Sequence, residues 1–287
     1  MICSGSSVRP LPLVLPPLAD ELLSSWFNRH ATFYRVSGRR LLRHCSLEAP
    51  SPRDLDLKLT PHDQHRLAHV FRYDPRVIRK MTQSRGRSLP TRLIASVRPM
   101  QVCRCCISRH HAEPLTRGTR LRSWMEGWRI ICPVCSAAME DSRPLNMLTR
   151  TDPADPLFLR VAEHARQGEL MMTRAAHLGR PSEPIVALMR SLLLPRTSCP
   201  RETSSATEIP RLLDTVVPGF DRFLHQTYPG FRRPGTLLLP ISIRVPVLAG
   251  VAQVASRPDH WAESLIGAVA ETARPGLAAC FRELMAA

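Results

Sequence analysis

Two Cys-x2-Cys pairs constrain this chain more than any other feature: Cys103 with Cys106, and Cys132 with Cys135, with residues 107–131 between them. Each pair can turn two thiolates onto one ion, and four such ligands close a tetrahedral shell that leaves no open position for chemistry. A segment of roughly forty residues has too little interior to hold itself together. A structural metal, contributing roughly 10–16 kcal/mol of apparent binding free energy, would supply its fold. The spacing therefore predicts one structural Zn2+ on Cys103, Cys106, Cys132 and Cys135. Cys105 competes with Cys103 for register, but the two-residue spacing of Cys103 and Cys106 makes the better clip. Buried free thiols or a redox pair are the competing readings, and two paired motifs at ribbon spacing argue against both.

The chain holds nine cysteines, five of them between 103 and 135, which is a metal-site pattern and points to a reducing compartment. The apolar stretch Leu11–Leu18 is broken by prolines, and no cationic segment leads into it, so it does not read as a signal peptide. The apolar run from Val245 to Ala255 falls short of the roughly 20 residues a membrane span needs. With 44% hydrophobic residues in 287, the chain has enough apolar material for real interiors and enough length for two domains.

Lys and Arg total 40 against 24 Asp and Glu, a formal charge of +16. Nearly all of these cations are Arg, whose fork matches phosphates and guanine edges, so the charge points to nucleic acid. A GC-rich genome writing Arg throughout would leave the same even spread.

The pattern along the chain is mostly helical. Asp20 and Glu21 stand where acids favour a helix start, and Leu22, Leu23, Trp26, Phe27, Ala31 and Tyr34 follow at helical spacing. Gly38 with Arg39 and Arg40 reads as a break before a short segment from Leu41 to Leu47, and the Pro/Ser/Asp stretch 50–56 reads as a loop. Thr60-Pro61 opens a helix ending near Arg72, and Asp74-Pro75 opens another. Together these predict a helix-turn-helix whose second helix presents Arg76, Arg79 and Lys80 on its outer side. With Arg85 and Arg87 beyond, these are the expected DNA contacts. Trp128–Ile131 is expected to form a ribbon strand, with Trp124 and Trp128 covering the metal loops rather than stacking on bases.

Beyond Asp152-Pro153 only helices are expected: 156–167, 169–178, 184–194, 209–216, 219–227, 241–255, 259–273 and 275–286. The resulting division is a proline-rich segment 1–19, a helix-turn-helix unit 20–99, a zinc-ribbon module 100–145 and a C-terminal helical domain 146–287, with a linker candidate at 197–208. A competing enzyme reading takes His111, Glu113, Cys132 and Cys135 as a zinc deaminase signature. It suffers from a short gap to Cys132, from Ile131 where the signature has proline, and from Pro114 in the helix that should carry the glutamate. No nucleophile with a positioned base and no phosphate-binding glycine loop is present, so the chain is not expected to be an enzyme.

Pro12-Leu13 and Pro16-Pro17, followed by Asp20-Glu21-Leu22-Leu23-Ser24-Ser25-Trp26-Phe27-Asn28-Arg29, resemble the opening of TniQ-family transposition proteins, whose pattern is roughly a proline-rich strand and E-S-L-x-S-W-L-x-R. The likeness continues through a small helical unit, a Cys-x-x-Cys, Trp124 eight residues before Cys132-Pro133, and the second knuckle, covering about residues 10–145. The chain departs from the pattern at Cys135, where the family commonly has His, and at Leu22, where Ser usually follows the acid. Cysteine serves zinc as well as histidine does.

The resemblance implies a bacterial transposon target-selection subunit that does not cut DNA and works in the cytoplasm at the nucleoid, beside an AAA+ ATPase regulator and a DDE transposase. Such proteins recognise an attachment site on DNA or, in CRISPR-associated transposons, dock as dimers on an RNA-guided complex. The alternatives are a stand-alone zinc-containing DNA-binding transcription regulator and an inactive remnant of a mobile element.

Overall fold

The computed structural model describes residues 8–83, 93–95, 98–142, 155–178, 182–197, 210–229 and 238–286. Among them are thirteen α-helices and one two-stranded antiparallel ribbon, so the fold is mostly α as the patterning predicts. The linker candidate lies almost wholly outside the described residues.

Helix α1 (Leu23–Phe33) buries Leu23, Trp26, Phe27, His30 and Ala31 at three- and four-residue spacing. They meet Leu67, Val70, Phe71 and Ile78 in one core, with the Trp26 and Phe71 rings 4.6 Å apart. The proline-rich segment is pinned to this core. Trp26 Nε1 donates to the Leu15 carbonyl at 2.8 Å, Leu11 N–H donates to Val70 O at 2.9 Å, and Leu15 N–H donates to His30 Nε2 at 2.9 Å.

Two of the local expectations are corrected. The break at Gly38 is the first turn of α2 (Gly38–His44), capped by the Ser37 side chain. A Cβ at Gly38 would lie 3.0 Å from both Asn28 Oδ1 and Pro52 Cγ, so this glycine permits close approach instead of ending order. The loop expected at 50–56 is instead largely α3 (Pro52–Lys58), because a Ser-Pro pair also serves as a helix N-cap with proline at the first position. Its Asp56 is fully buried, accepting from Ser24 N–H at 2.8 Å and from Ser24 Oγ at 2.5 Å. Helices α4 (Pro61–Phe71) and α5 (Pro75–Lys80) start and stop where expected. Thr60 and Asp74 cap them, and Arg72 ends α4 in the left-handed region.

In the next segment, β1 (Gln101–Val102) pairs with β2 (Glu140–Asp141), and α6 (Arg104–Ala112) lies between them in sequence. The strand expected over Trp128–Ile131 does not form; Ile131 makes only an isolated bridge to Ala138. Trp128 and Ile130 turn into the C-terminal core, and the Arg129 carbonyl accepts from Arg244, so no continuous edge is left for a ladder.

The C-terminal helices surround α11 (Ile241–Ser256), which is apolar nearly all round and correspondingly buried. It packs along α7 (Pro156–Leu178), with α8 (Glu183–Leu192), α9 (Leu212–Val216), α10 (Phe220–Thr227), α12 (Pro258–Gly267) and α13 (Arg274–Ala286) completing the layer. The helices expected at 156–167 and 169–178 are one. Gly168 sits mid-helix because a Cβ there would fall 2.1 Å from the Leu248 carbonyl oxygen of α11. No helix among the described residues is long and apolar enough to cross a membrane.

Burial, and secondarily the nearby Arg29 charge, lowers the His30 pKa from 6.5 to about 4, although the Trp26 carbonyl works the other way. Below pH 6.5 the unfolded chain therefore takes up a proton that the folded chain refuses until about pH 4. Stability should fall across that window, by on the order of 2–3 kcal/mol. Urea unfolding at stepped pH should show this decline, and His30→Gln, which cannot titrate, should flatten it.

Candidate metal centre and its basic surroundings

Cys103 occupies the N-cap of α6 and Cys106 its first turn, so helix geometry turns both sulfurs to one side. The second pair sits in a tight turn in which Ser136 N–H donates to Cys132 O at 2.9 Å and Cys132 N–H to Ala137 O at 2.8 Å. Ser136 takes a φ of 60°, which reverses the chain after Cys135. The two knuckles meet with Sγ separations of 3.3 Å for Cys103 and Cys135, 3.6 Å for Cys106 and Cys132, and 3.7 Å for Cys106 and Cys135. All four sulfurs lie within 4.8 Å of one another. A tetrahedral ion with metal–sulfur bonds of about 2.3 Å would hold its sulfurs about 3.8 Å apart, so the cage is the right size for a metal ion such as zinc.

The chemistry of the four thiols agrees with that fit. Burial pushes the Cys103 and Cys106 thiols up, and their sulfur neighbours push further. Cys135 goes the other way, to about 7, chiefly because the Ala137 backbone N–H stabilises its thiolate. Cys135 thus ionises readily while Cys103 and Cys106 resist adding negative charge without a cation. Leu121, Trp124 and Met139 wall the cage, and Cys103, Cys106 and Cys132 are buried.

The other candidates separate from this group. Cys105 faces solvent. His111 and Glu113 are exposed at the C-terminal end of α6, outside the four-sulfur cluster. Trp124 and Trp128 are 3% and 0% exposed, so neither offers a ring face for stacking. Arg76, Arg79 and Lys80 are exposed on α5, while Arg85 and Arg87 lie outside the described residues.

Sequence reasoning missed a buried ion-pair relay. Asp20 and Glu21 precede α1 and lie outside its first turn; Asp20 takes a φ of 57° and Glu21 bridges to Leu121. Glu21 holds Arg29 through two contacts, at 2.8 Å from Nε and 2.7 Å from a terminal nitrogen, and Arg29 also donates to the Pro16 and Leu115 carbonyls. Asp20 accepts from Arg122 at 3.0 Å, Arg122 donates to Glu126 at 2.9 Å, and Glu126 accepts from Arg129 at 2.7 Å. Arg129 reaches Glu169 on α7 at 3.5 Å. Arg122, Glu126 and Arg129 follow one another at i,i+4 and i,i+3, the one trace of the relay visible in sequence.

The TniQ family model matches residues 12–150 of this chain. The matched span is just under half of the 287 residues. That segment contains the four-cysteine cage, α1 to α6 and all but the last member of the relay. The TniQ match implies a transposition-associated target-selection protein, with association to DNA and the transposition machinery. No curated protein and no solved structure matches the chain.

Two outcomes follow. Elemental analysis of the purified chain should find one metal ion, lost in Cys103→Ser/Cys106→Ser together with the order of residues 100–142. Glu126→Gln leaves two buried guanidinium groups short of their counter-charge, and urea unfolding should show a loss of about 3–5 kcal/mol.

Proposed function

We propose that this chain is a non-catalytic target-site selection subunit of a bacterial DNA transposition system, acting in the cytoplasm at the nucleoid. It binds DNA or a target-bound complex, an RNA-guided one included, and recruits an AAA+ ATPase regulator and, through it, a DDE transposase. The observation that carries this reading is the TniQ match over the same residues that build the four-cysteine cage. Zn2+ is the ion assigned to Cys103, Cys106, Cys132 and Cys135, in a structural role, since four thiolates fill its tetrahedral shell.

Arg76, Arg79 and Lys80 are exposed on the second of two capped helices and are assigned to phosphate contacts. Arg85 and Arg87 extend that assignment along the chain. The C-terminal helices, whose apolar faces are largely used up on their own core, are assigned to contacts with the ATPase or with a second copy of the chain.

The test is an insertion assay in cells supplied with the ATPase and transposase of the same element. With this chain present, insertions should collect at one target, and without it targeted insertion should fall to background. Unchanged targeting in its absence contradicts the proposal, as does unaided repression from a palindromic operator, which marks a transcription regulator.

A further inference from the structure

Helix α2 presents Arg39, Arg40, Arg43 and His44 on its outer side while Leu41 and Leu42 face the core. These four stand three or four residues apart in overlapping pairs, a spacing at which like charges repel. Arg39, Arg40 and Arg43 form no ion pair among the described residues, and no acid occurs anywhere in 35–47.

Helix α4 adds the half-buried Arg66 and the exposed His69. Arg66 Nη1 donates to the Ser46 carbonyl at 2.6 Å, which fixes this face of α4 beside the end of α2. His44 and His69, one from each helix, reach the neighbouring carbonyls of Arg9 and Val8, each through Nε2 at 3.2 Å. Two helices and a pinned extended segment thus share a single basic surface. The acid of α4, Asp63, is buried and accepts from Thr60, so it does not neutralise that surface.

We propose that the joined outer faces of α2 and α4 form a phosphate-tracking surface for a nucleic-acid backbone, in addition to the contacts assigned to α5. This rests on the nucleic-acid reading above and names where most of that contact occurs. Arg supplies planar forks to phosphate oxygens, and α2 itself carries no carboxylate to compete for them. The surface has no apolar anchor or base-stacking ring among these residues, so the contact is to backbone and is independent of sequence.

The experiment measures binding of the metal-loaded full chain to a mixed-sequence DNA duplex by fluorescence anisotropy, over a salt series of about 50 to 200 mM. Each phosphate contact contributes about 0.9 to the slope of log K against log salt. Arg39→Gln/Arg40→Gln/Arg43→Gln should lower that slope by about 2–3 and weaken binding tenfold or more, while Arg39→Lys/Arg40→Lys/Arg43→Lys should keep most of the slope. The three single Gln variants, each losing about 0.9, carry the same test should the triple fail to fold. Normal wild-type binding with an unchanged slope in the Gln variants overturns the assignment to α2 alone. Failure of the wild type to bind the duplex at low salt overturns both this surface and the nucleic-acid reading beneath it, and leaves an acidic protein as the partner of the basic face.

Discussion

Glu126 is the hinge of the whole arrangement: a fully buried carboxylate that accepts from Arg122 on one side and Arg129 on the other. Through Arg122 it reaches Asp20 at the mouth of α1, and through Arg129 it reaches Glu169 on α7. One relay therefore ties the N-terminal helices, the cysteine-bearing segment and the C-terminal helices. Charges removed from water cost several kcal/mol each unless well paired, so such a relay contributes less to net stability than to holding one arrangement of the parts. A shifted packing that broke any link would leave a buried guanidinium or carboxylate without its partner.

The metal cage and the relay are built from the same short stretch of chain. Trp124 packs against the cysteines, while Arg122 and Glu126, two residues to either side, belong to the relay. An ion bound in the cage would therefore organise more than its own ligands. The turn after α6 supplies the Leu115 carbonyl to Arg29 of α1, whose guanidinium is already locked by Glu21 and Pro16. The same ties hold the basic faces of α2, α4 and α5 in a fixed relation to the cysteine cage. Arg244 adds a further cross-tie. Fully buried, it donates to the Arg129 and Leu239 carbonyls and to the Gln101 side chain, and burial brings its pKa down to about 10.

Much of the fold was legible in sequence because its signals are local. Caps and prolines at Thr60-Pro61 and Asp74-Pro75 marked two helices, and the spacing of Leu23, Trp26, Phe27 and Ala31 marked the first. The cysteines were legible for the same reason, since each knuckle is four residues long. The errors arose where a residue's meaning depended on a distant neighbour. Gly168 looked like a helix break and is a close-approach site against Leu248; Gly38 looked like a break and is a close-approach site against Asn28 and Pro52. Trp128–Ile131 carried strand propensity but was claimed residue by residue by the C-terminal core and by Arg244. Asp20 and Arg122 stand 102 residues apart, beyond what helical periodicity can connect.

The central claim, that one relay and one metal cage join the three parts into a single cooperative body, is tested most directly by native-state hydrogen exchange of the full chain with and without a chelator. The account predicts that metal removal speeds exchange together in α1, in residues 100–142 and in α7, by the same change in opening free energy. Exchange that accelerates only in residues 100–142, with α1 and α7 keeping their full protection, would contradict it.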